Sequence, residues 1–410
     1  MVGGSKKLLQ INVTANWGST GKIAEQINLL AQTNGWITYL AYGRYCNSSK
    51  SGLIHIGSQL EVYEHYAEYK LIDNDGLASR RATRKLVNVI KDIKPDIIHL
   101  HNIHDHWLNY QILFEFLNTL EIPIVWTQHD CWNFTGDCWH FSHLNCNQWI
   151  TGCSQSCPMR QGNVYHKMIN HTEEHYKLKK KLFSDTRNMT IVSVSKWLES
   201  VIRNSFLKDK NIKTIYNGID TDVFRLLKFE DISLKKFGLD SVRYIMGVAS
   251  VWTERKGFVD YCKLASKISE EVKIVLVGLN KKMCHEAARY GIIGIPRTDE
   301  IEDLVALYNG ASIVLNLSYE ETFGLTTVEG FACGTPSIVY NTTASPELVT
   351  PETGIIVEPG NIDGVTEAIS YLLSKEKPVK VCRDRAVAYF NKEDRFKEYL
   401  DLYKNLLTSI

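Results

Sequence analysis

The chain has 410 residues, 44% hydrophobic and 23% charged, the balance of a globular protein of two or more domains. Lys and Arg total 47 against 46 Asp and Glu, so a net charge of +1 supplies no general attraction to nucleic acid, and none is expected as a partner. Ten cysteines are too sparse for a disulfide scaffold, no window predicts a membrane span, and the apolar run Leu8–Val13 is too short for a secretory core, so the expected compartment is the reducing cytoplasm.

Short β-rich runs alternate with amphipathic stretches along the chain. Leu8–Val13 reads as a strand, followed by a loop with Gly18 and Gly21 and a helix from Lys22 to Gln32. Trp36–Tyr42 is a second strand. Arg80–Ile93 reads as a helix with Leu86, Val89, Ile90 and Ile93 on one side, ended by Pro95. Strands follow at Asp96–Leu100, Ile122–Trp126 and Thr190–Val194. Thr221–Asp240 has no clear period and reads as a linker. Alternation then restarts, with strands at Arg243–Val248, Val272–Val277, Ser312–Leu317, Thr335–Val339 and Gly354–Val357. Helices are expected at Leu304–Tyr308, Thr326–Ala332 and Asp363–Leu373, and from Arg383 to the end. The pattern predicts an α/β protein with a parallel-sheet domain over 1–222, a second over 223–385, and a C-terminal helix over 386–410 packing back toward the first. Ligands in such sheets bind at the carboxyl ends of the strands, here in a cleft between the domains.

The segment from Ser318 to Pro336 carries the most chemical information. It leaves a strand and enters a helix, with Glu321 at the turn, Gly324 where backbone N–H groups can approach a ligand, and Glu329 about two helical turns on. The helix N-terminus suits phosphate, so the segment describes a pocket for a phosphorylated sugar. The competing reading is an amphipathic helix with Glu321 as a solvated first-turn acid. Gly18-Ser-Thr-Gly-Lys22 is not a P-loop, because position 16 is Asn and Ile23 follows the lysine. It is read as a glycine turn that contacts diphosphate or acceptor, or as a plain tight turn. His99, His101, His104 and His106 are read as polar residues lining a site in preference to a metal cluster. Cys138, Cys146, Cys153 and Cys157 lie in a polar, aromatic loop over 131–158, and four thiolates there can hold a structural zinc ion; free or oxidised thiols and an iron–sulfur cluster are the alternatives. Two basic runs, Arg80, Arg81, Arg84, Lys85, Lys91 and Lys94, and Lys177 with Lys179 to Lys181, are either solvated faces or contacts to anionic lipid.

The Glu321–Glu329 segment, with Phe323-Gly-Leu325 between the acids, resembles the nucleotide-sugar signature of the family 4 retaining glycosyltransferases. Ala332-Cys-Gly-Thr-Pro336, Ser345-Pro-Glu347, Asn217-Gly-Ile-Asp220, Val248 to Gly257, Asp96 to Asn102 and His129-Asp130 also fit the family in order. Thr135-Gly-Asp-Cys138 and Cys157-Pro158 resemble a Cys-rich insert of one branch, of bacterial surface-polysaccharide type. The resemblance implies the GT-B fold, two Rossmann-like domains facing a cleft. It also implies a UDP- or GDP-linked sugar donor, a glycan or lipid-linked acceptor, no catalytic divalent metal, and a peripheral contact with the inner membrane face. It assigns catalysis to His129, Glu321 and Lys256. Its donor contacts are Lys256, Thr322, Phe323, Gly324, Leu325 and Glu329, with acceptor contacts at His101, Asn102 and His104; by position alone Gly18 and Gly21 are expected at the diphosphate or acceptor, Arg255 at the diphosphate, and Arg297, after a short strand, at the base. One departure stands out: the family's arginine six residues before the lysine is Ser250 here, which leaves the diphosphate to Lys256, helix N-termini and Arg255. A sugar phosphorylase, a nucleotide-sugar epimerase and a zinc-stapled binding protein are the alternatives.

Overall fold

The computed structural model describes residues 5–161, 169–298 and 300–408. The chain divides into two compact units, Met1–Tyr216 with Arg395–Ile410, and Asn217–Asp394. The first unit holds strands β1 (Lys7–Ile11), β2 (Ile37–Tyr42), β3 (Gly52–His55), β4 (Ile97–Leu100), β5 (Ile124–Gln128), β6 (Met189–Ser193) and β7 (Asn211–Thr214). They form a parallel sheet in the order β3-β2-β1-β4-β5-β6-β7. Every residue of β4, β5 and β6 is buried, as expected of central strands covered by helices on both faces. The second unit holds β8 (Tyr244–Val248), β9 (Lys273–Val277), β10 (Ile293–Ile295), β11 (Ile313–Asn316), β12 (Ser337–Tyr340) and β13 (Gly354–Val357), parallel in the order β10-β9-β8-β11-β12-β13.

Both orders reverse direction once. In the first unit the chain winds from β1 to β3 on one side and from β4 to β7 on the other. In the second it winds from β8 to β10, then from β11 to β13. The loops after β1 and β4, and those after β8 and β11, therefore diverge and leave a crevice at the carboxyl ends of the strands.

Two sequence expectations change, and three strands were not expected: the edge strands β3, β7 and β10 have only three or four residues, too few to show a period. The stretch Thr221–Asp240 is not a bare linker: Arg383 donates to the carbonyls of Thr221 (2.9 Å) and Phe224 (2.7 Å), which fastens this stretch into the second unit. The C-terminal segment is two helices, Val379–Phe390 and Lys392–Thr408, because Asn391 between them is extended and donates to Thr221 Oγ1 at 2.9 Å. The second of these helices buries Phe396, Tyr399, Leu400 and Tyr403 against Leu8, Ile27, Ile97 and Val125 in the core of the first unit.

Candidate functional site

In the second unit, the loop after β8 carries Arg255 and Lys256 in a short 3-10 turn, and the loop after β11 carries Glu320 and Glu321. The β8–β11 pairing sets these loops side by side. Lys256 Nζ pairs with Glu321 Oε1, and both side chains are largely buried, 20% and 14% exposed. Burial raises the Glu321 pKa, but Lys256 with smaller help from Ser318 and Arg255 outweighs it and holds the carboxyl below its usual range. Arg255 Nη1 donates to the Glu320 carbonyl at 2.7 Å and its own carbonyl accepts from Tyr319 N at 2.8 Å, so Arg255 braces the Glu321 loop. The loop after β12 closes the turn, with Thr343 Oγ1 accepting from Glu321 N at 2.9 Å.

Gly257 follows Lys256 at φ +75°, and a Cβ there would stand 2.2 Å from the Leu317 carbonyl oxygen. Backbone conformation and space both demand glycine. Gly257→Ala is expected to destabilise the protein by about 2–4 kcal/mol, read as the shift in the denaturant midpoint; a loss below about 0.5 kcal/mol would mean that the turn relaxes freely.

Gly324, at φ +104°, precedes the helix Leu325–Ala332, and no side chain caps that N-terminus. Thr322 and Leu325 are partly exposed, whereas Phe323 is buried and packs edge-on against Phe390 at 5.9 Å. Phe323 thus contributes to the core, and only its backbone is in question for a ligand. Glu329 lies in the same helix and accepts a 2.9 Å hydrogen bond from Tyr308 Oη. Ser250 and Arg297 are exposed, after β8 and β10 respectively. Three supporting residues were not foreseen: Thr343, Tyr308 and Asp260. Asp260 is buried and accepts from Tyr319 Oη (2.6 Å) and Tyr340 Oη (2.7 Å). A lone acid at the start of a helix gives no hint of such tertiary partners.

In the first unit, Gly18 and Gly21 belong to the first turn of the helix Gly18–Thr33, not to a flexible loop. A Cβ at Gly21 would sit 2.6 Å from Thr14 Oγ1, so this glycine permits close packing of the helix on the loop after β1. His101 follows β4 and His129 follows β5. Their rings stack at 5.3 Å and 18°, with His101 Nδ1 3.0 Å from His129 Nε2. Burial, with His99 and His129 adding to it, holds the His101 pKa well below the imidazole range. Burial also lowers His129 to about 4, with Asp130 opposing and His104 assisting. Both rings are therefore neutral near pH 7. His99 is committed to Tyr403 Oη (2.6 Å) and Thr127 Oγ1 (2.7 Å). His104 Nε2 pairs with Asp130 Oδ2 at 2.8 Å; burial opposes both charges, but the pairing raises the His104 pKa and lowers that of Asp130. The buried His104 Nδ1 has no partner among the described residues, which leaves one polar ring atom open to a ligand.

Of the second basic run, Lys179 is fully buried. It donates to the carbonyls of Trp132 (3.1 Å) and Gly136 (2.6 Å) and sits 3.5 Å over the Trp132 ring, so it fastens the Cys-rich segment and cannot face lipid. Within that segment Cys138 Sγ and Cys157 Sγ are 3.7 Å apart, and Gly136 N–H donates to Cys153 Sγ at 3.2 Å. Two zinc–sulfur bonds of about 2.3 Å at a tetrahedral angle place their sulfurs about 3.8 Å apart, so this pair fits one ion. Cys146 is partly exposed. Among the described residues, the group of three ligating side chains that closes to within 4.8 Å is Asp73, Asp137 and His175, not three cysteines. That group is already an ion pair, His175 Nδ1 to Asp137 Oδ1 at 2.8 Å.

Residues 45–223 match the model described as Glycosyltransferase Family 4, and residues 229–388 match Glycosyl transferases group 1. Two Rossmann-like units with these matches define a GT-B glycosyltransferase. The chain belongs to the group 1 and family 4 glycosyltransferases. It is 28% identical over 242 residues to N-acetyl-alpha-D-glucosaminyl L-malate synthase of Bacillus anthracis, 55% of this chain and 62% of that protein. It is 20% identical over 429 aligned positions to a colanic acid biosynthesis glycosyl transferase, WcaC, of Escherichia coli, spanning 97% and 100% of the two. Sucrose-phosphate synthase from Thermosynechococcus elongatus shares the fold at TM-score 0.72 and 17% identity, covering 99% and 100% of the two chains. Anabaena HepE, solved with UDP and glucose, shares it at TM-score 0.65 and 15% identity, covering 98% and 100%. No helix among the described residues is long and apolar enough to cross a membrane.

Proposed function

We propose that the protein is a retaining hexosyltransferase that moves a sugar from a UDP-linked donor to a glycan or lipid-linked glycan in surface-polysaccharide synthesis. The observation that carries this reading is the Lys256–Glu321 pair at the β8/β11 crevice. A cation and a carboxylate held together there suit the two ends of a sugar diphosphate. Lys256 neutralises charge as the glycosidic bond breaks, and Glu321 accepts from a donor-sugar hydroxyl. Backbone N–H groups at Thr322 to Leu325 serve further hydroxyls or phosphate, and Glu329 serves the ribose. By the resemblance His129 serves the donor sugar; Gly18 and Gly21 are assigned to the diphosphate or acceptor, and Arg297 to the base. The leaving diphosphate takes the acceptor proton, so Glu321 and Glu329 are not an acid/base pair, and protein cations serve the diphosphate in place of a divalent ion. UDP is favoured by the ligands of the HepE structure, and the glycan acceptor by WcaC.

Calorimetry with UDP, GDP and ADP tests this reading. UDP is expected to bind, and Glu329→Ala to weaken it by about tenfold or more, the loss of one charged hydrogen bond. Binding of none of the three would turn the reading toward a sugar-binding protein with a degenerate donor site.

Two finer features belong to the proposal. The four cysteines hold a structural zinc ion, favoured by the Cys138–Cys157 spacing and the N–H bond to Cys153. The protein also touches anionic lipid through the helix Arg80–Ile93, whose Arg80, Arg81, Arg84 and Lys85 are exposed. Arg80 lies 3.8 Å from Glu68 of the helix Gln59–Ile72, whose Leu60 and Leu71 are 72% and 70% exposed.

A further inference from the structure

Asp260 lies in the helix Phe258–Ala265, which the loop after β8 leads into, four positions after Lys256. It is buried, and one of its oxygens, Oδ2, accepts from two phenol hydroxyls, Tyr319 Oη at 2.6 Å and Tyr340 Oη at 2.7 Å. Tyr319 stands in the loop after β11, two positions before Glu321. Tyr340 ends β12, three positions before Thr343, whose Oγ1 accepts from Glu321 N. The main chain of Tyr319 is engaged too. Its N–H donates to the Arg255 carbonyl at 2.8 Å, and its carbonyl accepts from Thr342 Oγ1 at 3.1 Å. One carboxylate oxygen thus joins the chain segments that bear Lys256, Glu321 and Thr343, within four residues of each. Thr343 stands at φ +49°, a conformation side chains rarely adopt, so its loop needs restraint to hold that shape.

We propose that Asp260 is a positioning residue that, through the hydroxyls of Tyr319 and Tyr340, sets the separation of the loops carrying Lys256, Glu321 and Thr343. Its consequence for sugar transfer rests on the reading of Lys256 and Glu321 as donor contacts; its geometry does not. A carboxylate suits the task, because hydrogen bonds to it are shorter and roughly twice as strong as those between neutral groups. The two phenol rings meet edge-on at 5.4 Å and 66°, which limits how far either hydroxyl can wander. Lys263 Nζ lies 3.3 Å from Oδ1, but its side chain is 60% exposed, so solvent weakens that contact and the phenols remain the main restraint. A tether of this kind matters to chemistry because a misplacement of about 1 Å at a reacting centre can cost about 10²-fold in rate.

The test follows the Lys256 ammonium by NMR of the full-length protein with 15N-labelled lysine, the resonance being assigned by its absence from Lys256→Arg. Its shift reports the pairing with Glu321 whether or not the protein is active. Tyr319→Phe removes a single oxygen atom from the tether, and Asp260→Ala removes the shared acceptor. In both, the resonance is expected to move toward that of an unpaired lysine. The kcat for release of UDP from UDP-glucose, with water standing in for the acceptor, is expected to fall about tenfold or more, and KM to change by less than about threefold. Asp260→Asn keeps an oxygen that can accept from both hydroxyls and is expected to retain most of kcat. An unmoved Lys256 resonance in a folded Tyr319→Phe would overturn the tether and leave the proposed reaction standing. A moved resonance with unchanged kcat would overturn its role in transfer, since a purely structural contact lowers stability alone. If Asp260→Ala fails to fold, Tyr319→Phe decides. A wild type that releases no UDP counts against the donor reading, while the resonance in Tyr319→Phe still decides the tether.

Discussion

Lys256→Ala is expected to lower kcat by about 10²–10³-fold, the loss that follows removal of one preorganised charge on a developing anion. Arg255→Ala is expected to cost about tenfold, because the Arg255 guanidinium is committed at 2.7 Å to the Glu320 carbonyl and acts on the loop more than on the ligand. Equal, small effects from both substitutions would defeat the phosphate assignment. The lysine variant carries a second signature. Its loss leaves burial as the main influence on Glu321, and the carboxyl moves up in pKa. In the wild type the depressed carboxyl contributes stability above its unfolded pKa, and that contribution is lost as pH falls through the lower folded value. In Lys256→Ala the contribution changes sign, so acid unfolding is expected to shift less than a lost ion pair alone would suggest. Comparing acid-unfolding midpoints of Lys256→Ala and the double variant with Glu321→Gln separates this from any loss of catalysis.

The second large effect concerns the Cys-rich segment. Dialysis against a chelator is expected to release about one zinc ion per chain and lower Tm by several degrees, because metal-binding energy in such a loop is folding energy. Cys138→Ser is expected to do the same without chelator. Without metal, hydrogen bonding to Cys157 and burial raise the Cys138 thiol, and burial pushes Cys153 up to about 12, so these two stay neutral thiols in the apo protein. Zinc binding must therefore release protons, which a pH-indicator titration would count. An unchanged Tm with no metal detected would leave the segment held by Lys179, the His175–Asp137 pair and its aromatic packing alone.

Much of this architecture was legible in the chain. Central strands such as Ile97–Leu100 and Lys273–Val277 are apolar runs bounded by breakers, and a parallel sheet demands such runs because helices cover both of its faces. The Glu321–Glu329 segment was legible for a different reason: a strand, a turn, a helix and two acids sit within one local stretch. The short edge strands were not, since three or four residues satisfy several templates equally. Gly18 was misplaced by four residues in the direction of a loop, because two glycines in a row of small residues imitate a turn whether or not a helix has begun.

The sequence by itself determined the alternation of elements, the family, and which side chains could do chemistry, because each of these is written in residues near one another. Only the tertiary structure decided how those side chains are charged and aimed. Lys179 lies in a run of four lysine-rich positions and reads as solvated, yet the fold buries it on two carbonyls contributed from more than forty residues away. Gln10 reads as a polar interruption of the first strand, yet the pairing of β1 with β4 sets it against His101, ninety-one positions on. Local pattern is set by backbone period and propensity, whereas protonation and orientation depend on burial and on partners that meet only when the sheet assembles.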